Sequence, residues 1–171
     1  IDKNDVTFAN IWGVCDEDMF NKSLKVFDAN AKKAKPFFAQ IMTTSNHRPY
    51  TYPEGRIKVE GNPHTRSAAV RYTDYAIGNF IEQASRKPWF NNTIFVIIAD
   101  HCASSAGKTT LPTDRYHIPC IIYSPKHIAP QAVKTVCSQI DVMPTLLALL
   151  NIPCKVSFTG QNIFSSAYRP R

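Results

Sequence analysis

The chain lacks any hydrophobic run long enough to cross a membrane. Its longest apolar stretches, Ile94 to Ala99 and Leu146 to Leu150, have the length of a strand or a short helix, against the roughly 20 residues a span needs. The first residues, Ile-Asp-Lys-Asn-Asp, are polar and mixed in charge and do not read as a leader, so any targeting segment is expected outside these 171 residues. There is no arginine-rich run. The net charge is +7, but Lys32, Lys33, Lys35, Arg48, Arg56, Arg66, Arg71, Lys108 and Arg115 are dispersed. Nucleic-acid binding requires a basic stripe or a recognisable module, so it is not expected. A basic surface does suit anionic lipid head groups or phosphate esters. No CxxC pair and no zinc-ribbon spacing occurs among Cys15, Cys102, Cys120, Cys137 and Cys154. Cys120 lies in the apolar run Ile118 to Ile122, where a buried thiol is expected. Repeats and low-complexity tracts are absent as well.

What remains is ordinary globular sequence. With 171 residues, 44% of them hydrophobic, the chain can build one domain with a sizeable core. Asp16-Glu17-Asp18 reads as a helix start, because carboxylates favour the positive helix N-terminus. Met19, Leu24, Val26 and Phe27 carry that helix toward Ala34, and Lys35-Pro36 ends it. Phe37 to Thr43 reads as a buried strand, followed by a long polar loop from Thr44 to Asn62. Thr65 to Arg86 is the clearest helix, with Val70, Asp74, Ile77, Phe80, Ile81 and Ala84 on one stripe. Thr93 to Ala99 is apolar at every position after Thr93, as in a strand covered on both faces. Ile118 to Ser124 is a second such strand, and Asp141 to Asn151 a short helix. This alternation predicts an α/β fold with a mainly parallel sheet flanked by helices.

Three clusters could carry chemistry. Asp100-His101 directly follows the strand ending at Ala99. In open α/β sheets ligands bind beyond the carboxyl ends of strands, and a carboxylate with an imidazole suits Zn²⁺ or Mn²⁺. The dipeptide alone fits somewhat better a turn capped by Asp100 with His101 at the surface. Thr43-Thr44-Ser45-Asn46-His47-Arg48 follows the strand at 37–42 in the same way. His47 could contact a phosphoryl oxygen there, and Arg48 could pair with the anion bidentately. Tyr116-His117 precedes the strand at 118–124. It reaches the same sheet edge only if that strand runs antiparallel to 93–99. His64 and His127 read as surface residues. Ala106-Gly107-Lys108-Thr109-Thr110 lacks the first glycine and the strand of a P-loop, which rejects that motif.

In order, TTSNHRPYTYPEGR (43–56), FVIIADHCASSAGK (95–108), RYHIPCIIYSP (115–125) and SQIDVMPTLLALLNI (138–152) resemble the sulfatase-like domain of the lipoteichoic acid synthase and phosphoglycerol transferase family, within the alkaline phosphatase superfamily. IWGVCDEDMF (11–20) is also similar to that family. The resemblance implies that Asp100 and His101 are metal ligands for Mn, Zn or Mg. It implies that His47 is a catalytic residue contacting the head group, with Arg48 and His117 as further substrate contacts. It gives Asp141 a structural role as a helix N-cap. Cys102 stands where many superfamily members have glycine.

The family's metal-ligating glutamate and nucleophilic threonine precede the segment matching 11–20. Residues 1–171 are therefore expected to form the C-terminal part of a sulfatase-like catalytic domain, with the nucleophile upstream and the fragment inactive alone. The implied activity is metal-dependent transfer or hydrolysis of a phosphoryl-linked group on a phospholipid or phosphorylated glycan. The implied location is the extracytoplasmic face of the membrane or the periplasm, with membrane attachment through other segments. An arylsulfatase, a phosphoethanolamine transferase and a non-catalytic lipid-binding module are the alternative readings.

Overall fold

A computed structural model describes residues 3–103, 116–153, 155–157 and 159–170. Lys108, its neighbouring glycine, Arg115 and Cys154 lie outside the described residues. The chain forms two compact units, Ile1–Ile128 and Ala129–Arg171.

The first unit opens with a small hairpin of β1 (Ala9–Asn10) and β2 (Gly13–Val14). Gly13 takes φ +129°, a conformation only glycine adopts without strain. Helix α1 (Asp16–Ala31) follows. It stops three residues before the expected Ala34, which itself adopts φ +51°. Phe20 and Leu24 are its buried apolar residues, with Phe27 packed beside them, whereas Val26 is exposed. The i, i+4, i+7 spacing of those three residues puts them on one face.

Helix α2 (Arg66–Ser85) matches its expected span to within one residue at each end, and Thr65 caps it by accepting from Ala68 N at 3.2 Å. Its buried face is rotated from the expected stripe. Ala68, Ala69, Tyr72, Thr73, Ala76, Phe80 and Ala84 face inward, while Val70 and Asp74 are exposed. Small residues and hydrogen-bonded polar ones occupy the inner face, so hydrophobicity alone misplaced it. Phe20 and Phe80 stack at 4.8 Å between the two helices, and Phe95 meets Phe80 edge-on at 6.1 Å.

Strand β3 (Phe95–Ile98) pairs with β4 (Cys120–Tyr123) in an antiparallel ladder, Phe95 opposite Tyr123 and Ile98 opposite Cys120. Among the described residues both ladders are antiparallel and two-stranded, so the mainly parallel sheet is not seen there. An all-apolar strand reports its burial but not the direction of its neighbour. The segment 37–43 is in no ladder among the described residues, and Phe38 is 77% exposed. Ile121 and Cys120 are exposed too, which corrects the expected buried thiol. Among the described cysteines the buried one is Cys15 instead.

In the second unit a 3₁₀ turn (Gln139–Asp141) leads into α3 (Val142–Leu149). Asp141 occupies the N-cap position of α3, yet its side chain serves other partners. It accepts from Ser138 N at 3.0 Å in a capping box, from Gln161 N at 2.8 Å and from Tyr168 Oη at 3.1 Å. Gly160 lies so close to the Ile140 carbonyl that an added Cβ would sit 1.8 Å from its oxygen.

The β1–β2 hairpin is fastened to α1 by Asp18, which accepts from Thr7 N at 2.7 Å, Thr7 Oγ1 at 2.9 Å and Phe8 N at 3.1 Å. Burial pushes this carboxyl up, but the bonds from Thr7 and Phe8 outweigh it and hold it below its ordinary value. A depressed carboxyl stabilises the fold fully above its unfolded value, about pH 4, and loses that contribution as pH falls toward its folded one. The stability difference between wild type and Asp18→Asn, measured by urea titration, is expected to be constant from pH 7 to about 5. It should shrink progressively below about pH 4. A difference independent of pH down to 2.5 would contradict this account.

Candidate active site

The carboxylates of Asp16, Glu17 and Asp18 do more than complement a helix end; all three are buried. Buried carboxylates require strong partners. Asp16 Oδ1 accepts from Thr44 N at 2.9 Å and Ser45 N at 3.1 Å, and its Oδ2 accepts from Thr73 Oγ1 at 2.8 Å. Ser45 Oγ accepts in return from Asp16 N at 3.1 Å. Glu17 accepts from Tyr72 Oη at 3.0 Å and pairs with Arg56 at 3.2 Å. The first turn of α1 thus grips the start of the 44–50 loop, the middle of α2 and the hairpin at once. Among the described residues no buried side-chain polar atom lacks a partner.

His47 stands two residues beyond that grip. Its N–H donates to Thr44 O at 3.0 Å, and its carbonyl accepts from Tyr50 N at 2.7 Å, so it sits in a tight, doubly bonded turn. Its imidazole lies against the Trp12 indole with ring centroids 3.8 Å apart. Trp12 Nε1 donates to the carbonyl of Arg48, which precedes a cis proline, Pro49. Both His47 and Arg48 are exposed. Tyr50 takes φ +60°, an outlier for a bulky residue. Arg48 chiefly, with Arg66 adding its charge, holds the Tyr50 phenol below its ordinary value.

Asp100 and His101 follow β3 at an exposed turn. Asp100 Oδ1 accepts from His101 N at 2.9 Å. His101 Nδ1 lies 2.7 Å from Cys102 O. A carbonyl only accepts, so Nδ1 carries the proton. Nε2 then faces Asp100 Oδ2 at 3.5 Å. Two donors bound to one tetrahedral centre at about 2.0–2.1 Å lie about 3.4 Å apart, so the pair has the bite of two ligands to one cation. Fixing the imidazole through its other nitrogen is the usual outer support of a metal-binding histidine. Among the described residues no group of three or more His, Cys, Asp or Glu side chains converges to hold a metal.

His117 is exposed and lies two residues before Pro119, whose carbonyl accepts from Ala99 N at 3.3 Å. The antiparallel ladder therefore puts His117 at the same end as Asp100 and His101. Sequence reasoning passed over Trp12, Tyr50 and Arg66. Arg66 NH1 donates to Ala103 O at 3.1 Å, and its guanidinium lies 5.7 Å from the Tyr50 ring centre. Its one sequence signal was a cation at the first residue of a helix with no acidic residue in its first turn. His64, exposed as expected, has Nδ1 3.4 Å from Tyr50 O.

The family model for sulfatases matches residues 1–152, and the chain belongs to the sulfatase family. A protein of the alkaline phosphatase superfamily from Vibrio parahaemolyticus has a similar structure, with a TM-score of 0.89 and 39% identity, over 96% of this chain and 40% of that one. The lipoteichoic acid synthase LtaP from Listeria monocytogenes shares the fold, with a TM-score of 0.77 and 24% identity, over 95% of this chain and 45% of that one. Phosphoglycerol transferase I from Citrobacter koseri is 28% identical over 121 residues, 67% of this chain. That match spans 16% of the transferase's own length.

The Asp16 grip makes a direct prediction. Asp16→Ala leaves three donors without their acceptor, two of them buried and one half-buried, and is expected to lower the unfolding free energy by about 3 kcal/mol. Asp16→Asn keeps one carbonyl acceptor and is expected to cost less. Urea titrations of the three proteins check the order, and equal stability of all three would contradict it.

Proposed function

We propose that this chain is the C-terminal part of the catalytic domain of a metal-dependent phosphoglycerol-type transferase or hydrolase. The observation that carries the reading is the Asp100–His101 pair, with a 3.5 Å bite and an imidazole held through Nδ1. Asp100 and His101 would hold a divalent cation, Mn, Zn or Mg. Such a cation would supply charge neutralisation at a phosphoryl oxygen and would lower the pKa of a nearby hydroxyl.

The remaining groups act on the substrate directly. His47, steadied by the Trp12 ring, donates a hydrogen bond to the head group or a phosphoryl oxygen. Arg48 offers a planar pair of donors to the anion. His117 adds a contact from the strand-start side. The nucleophile is a threonine contributed by a part of the protein outside these 171 residues. Its hydroxyl oxygen displaces an alcohol at a phosphodiester, and the phosphoryl group then passes to an acceptor alcohol or to water. The phosphoglycerol transferases among the relatives support this substrate class. Phospholipids or phosphorylated glycans are the donors in this reading, at the extracytoplasmic face of a membrane. No described helix is long and apolar enough to cross a membrane, so attachment would rest on other segments.

Two measurements test the proposal. In the complete protein, Asp100→Ala is expected to remove metal binding and to drop phosphodiester turnover below detection. The 171-residue chain alone, with two of about four ligands, is expected to bind Mn²⁺ weakly, in roughly the millimolar range. Undiminished turnover of the variant would overturn the mechanism, and tight calorimetric binding by the isolated chain would overturn the shared ligand set.

A further inference from the structure

We propose that Arg66 is a positioning residue that ties the substrate loop at 47–50 to the metal-ligand turn at 100–103. The proposal rests on the reading of those two segments given above. Arg66 is the first residue of α2, and its exposed side chain reaches both of them. NH1 donates to Ala103 O at 3.1 Å, two residues beyond His101. The guanidinium also lies over the Tyr50 ring at 5.7 Å, within the range of a cation–π contact. Tyr50 in turn is bonded to His47 O through its own N–H at 2.7 Å. A short path of contacts therefore runs from His47 through Tyr50 and Arg66 to the turn that carries Asp100 and His101.

Two features set this arrangement apart from a chance surface contact. A cation at the first residue of α2 opposes the helix dipole, and no acidic side chain in that turn offsets it. Tyr50 holds a left-handed backbone conformation that an aromatic residue seldom adopts. Local preferences are set aside at both ends of one contact, as happens where geometry serves a site. Guanidinium chemistry suits the task, since a planar cation can donate along its edge while its face lies on a ring. Lysine provides only a point charge.

The role makes a specific kinetic prediction. A group that sets the spacing between head-group contact and metal ligands acts mainly on the transition state, so its loss lowers kcat more than it raises KM. In the complete protein, Arg66→Met keeps the aliphatic stem and removes the donor. Its kcat for phosphodiester turnover should fall by about tenfold or more, with KM changed by less than about threefold. Arg66→Lys should recover part of that loss. Hydrogen exchange gives a readout independent of activity: amides in 47–50 and 100–103 should exchange faster in Arg66→Met, with global stability unchanged. A rise in KM at constant kcat would mean that Arg66 binds substrate directly, and would overturn the proposal. Unchanged exchange in both segments would overturn it as well. If the wild-type protein turned over no phosphodiester, the functional reading would fail, and the exchange result would still decide the role of Arg66.

Discussion

A carboxylate removed from water must be held by several donors at once, and Asp16 shows how much structure can hang on one such group. Its two oxygens accept from two consecutive backbone amides at 44 and 45 and from a threonine on α2. Backbone amides are a strict choice of partner. They fix the path of the chain itself, whereas a side chain would fix only its own rotamer. The loop bearing His47 thus leaves a point that α1 and α2 define jointly. With Asp18 fastening the hairpin and Glu17 meeting Tyr72 and Arg56, three successive carboxylates orient the surroundings of the candidate site. Their position at the first turn of a 16-residue helix also places negative charge at its positive end, so the same residues serve both purposes.

The antiparallel β3–β4 ladder adds the second constraint. Because Ile98 lies opposite Cys120, the chain leaves β3 and enters β4 at the same end. Asp100, His101 and His117 consequently share one edge, although seventeen positions separate the first from the last in sequence. The α2 N-terminus approaches that edge through Arg66, and the 47–50 loop approaches it through Tyr50. What brings these groups together is short-range polar bonding between loops, laid over helices that pack through aromatic rings such as Phe20 and Phe80.

Much of this was legible from residue types. Asp100-His101 stood out because an abrupt polar pair after an all-apolar strand marks a strand end, and α2 stood out through the three- and four-residue spacing of its apolar residues. Other features were hidden for identifiable reasons. The inner face of α2 is lined by alanines, Tyr72 and Thr73, which a hydrophobic stripe does not select. The direction of β4 could not be read, because apolar character says nothing of strand polarity. Asp16, Glu17 and Asp18 read as a helix start and nothing more, because sequence does not reveal which donors will surround a carboxylate. Trp12, Tyr50 and Arg66 make their contacts across the fold, and of the three only Arg66, a cation opening a helix with no acidic residue in its first turn, left a trace in the sequence.

The polar and apolar parts of the chain are satisfied to different degrees, and this bears on how the site is specified. Every buried side-chain polar atom among the described residues has its partner. Apolar groups are less complete: Phe38, Met42 and Ile121 remain exposed on segments whose composition suits burial. Hydrogen bonds are directional and short in range, so once α1 and α2 are packed, Asp16 and Arg66 can hold their loops without help from distant surface. Hydrophobic burial has no direction and depends only on area removed from water. The conformation of the His47 loop is therefore encoded in contacts internal to the first unit, independently of these exposed apolar side chains. An edge fixed by directional bonds can keep its geometry while the exposed apolar groups beside it rearrange.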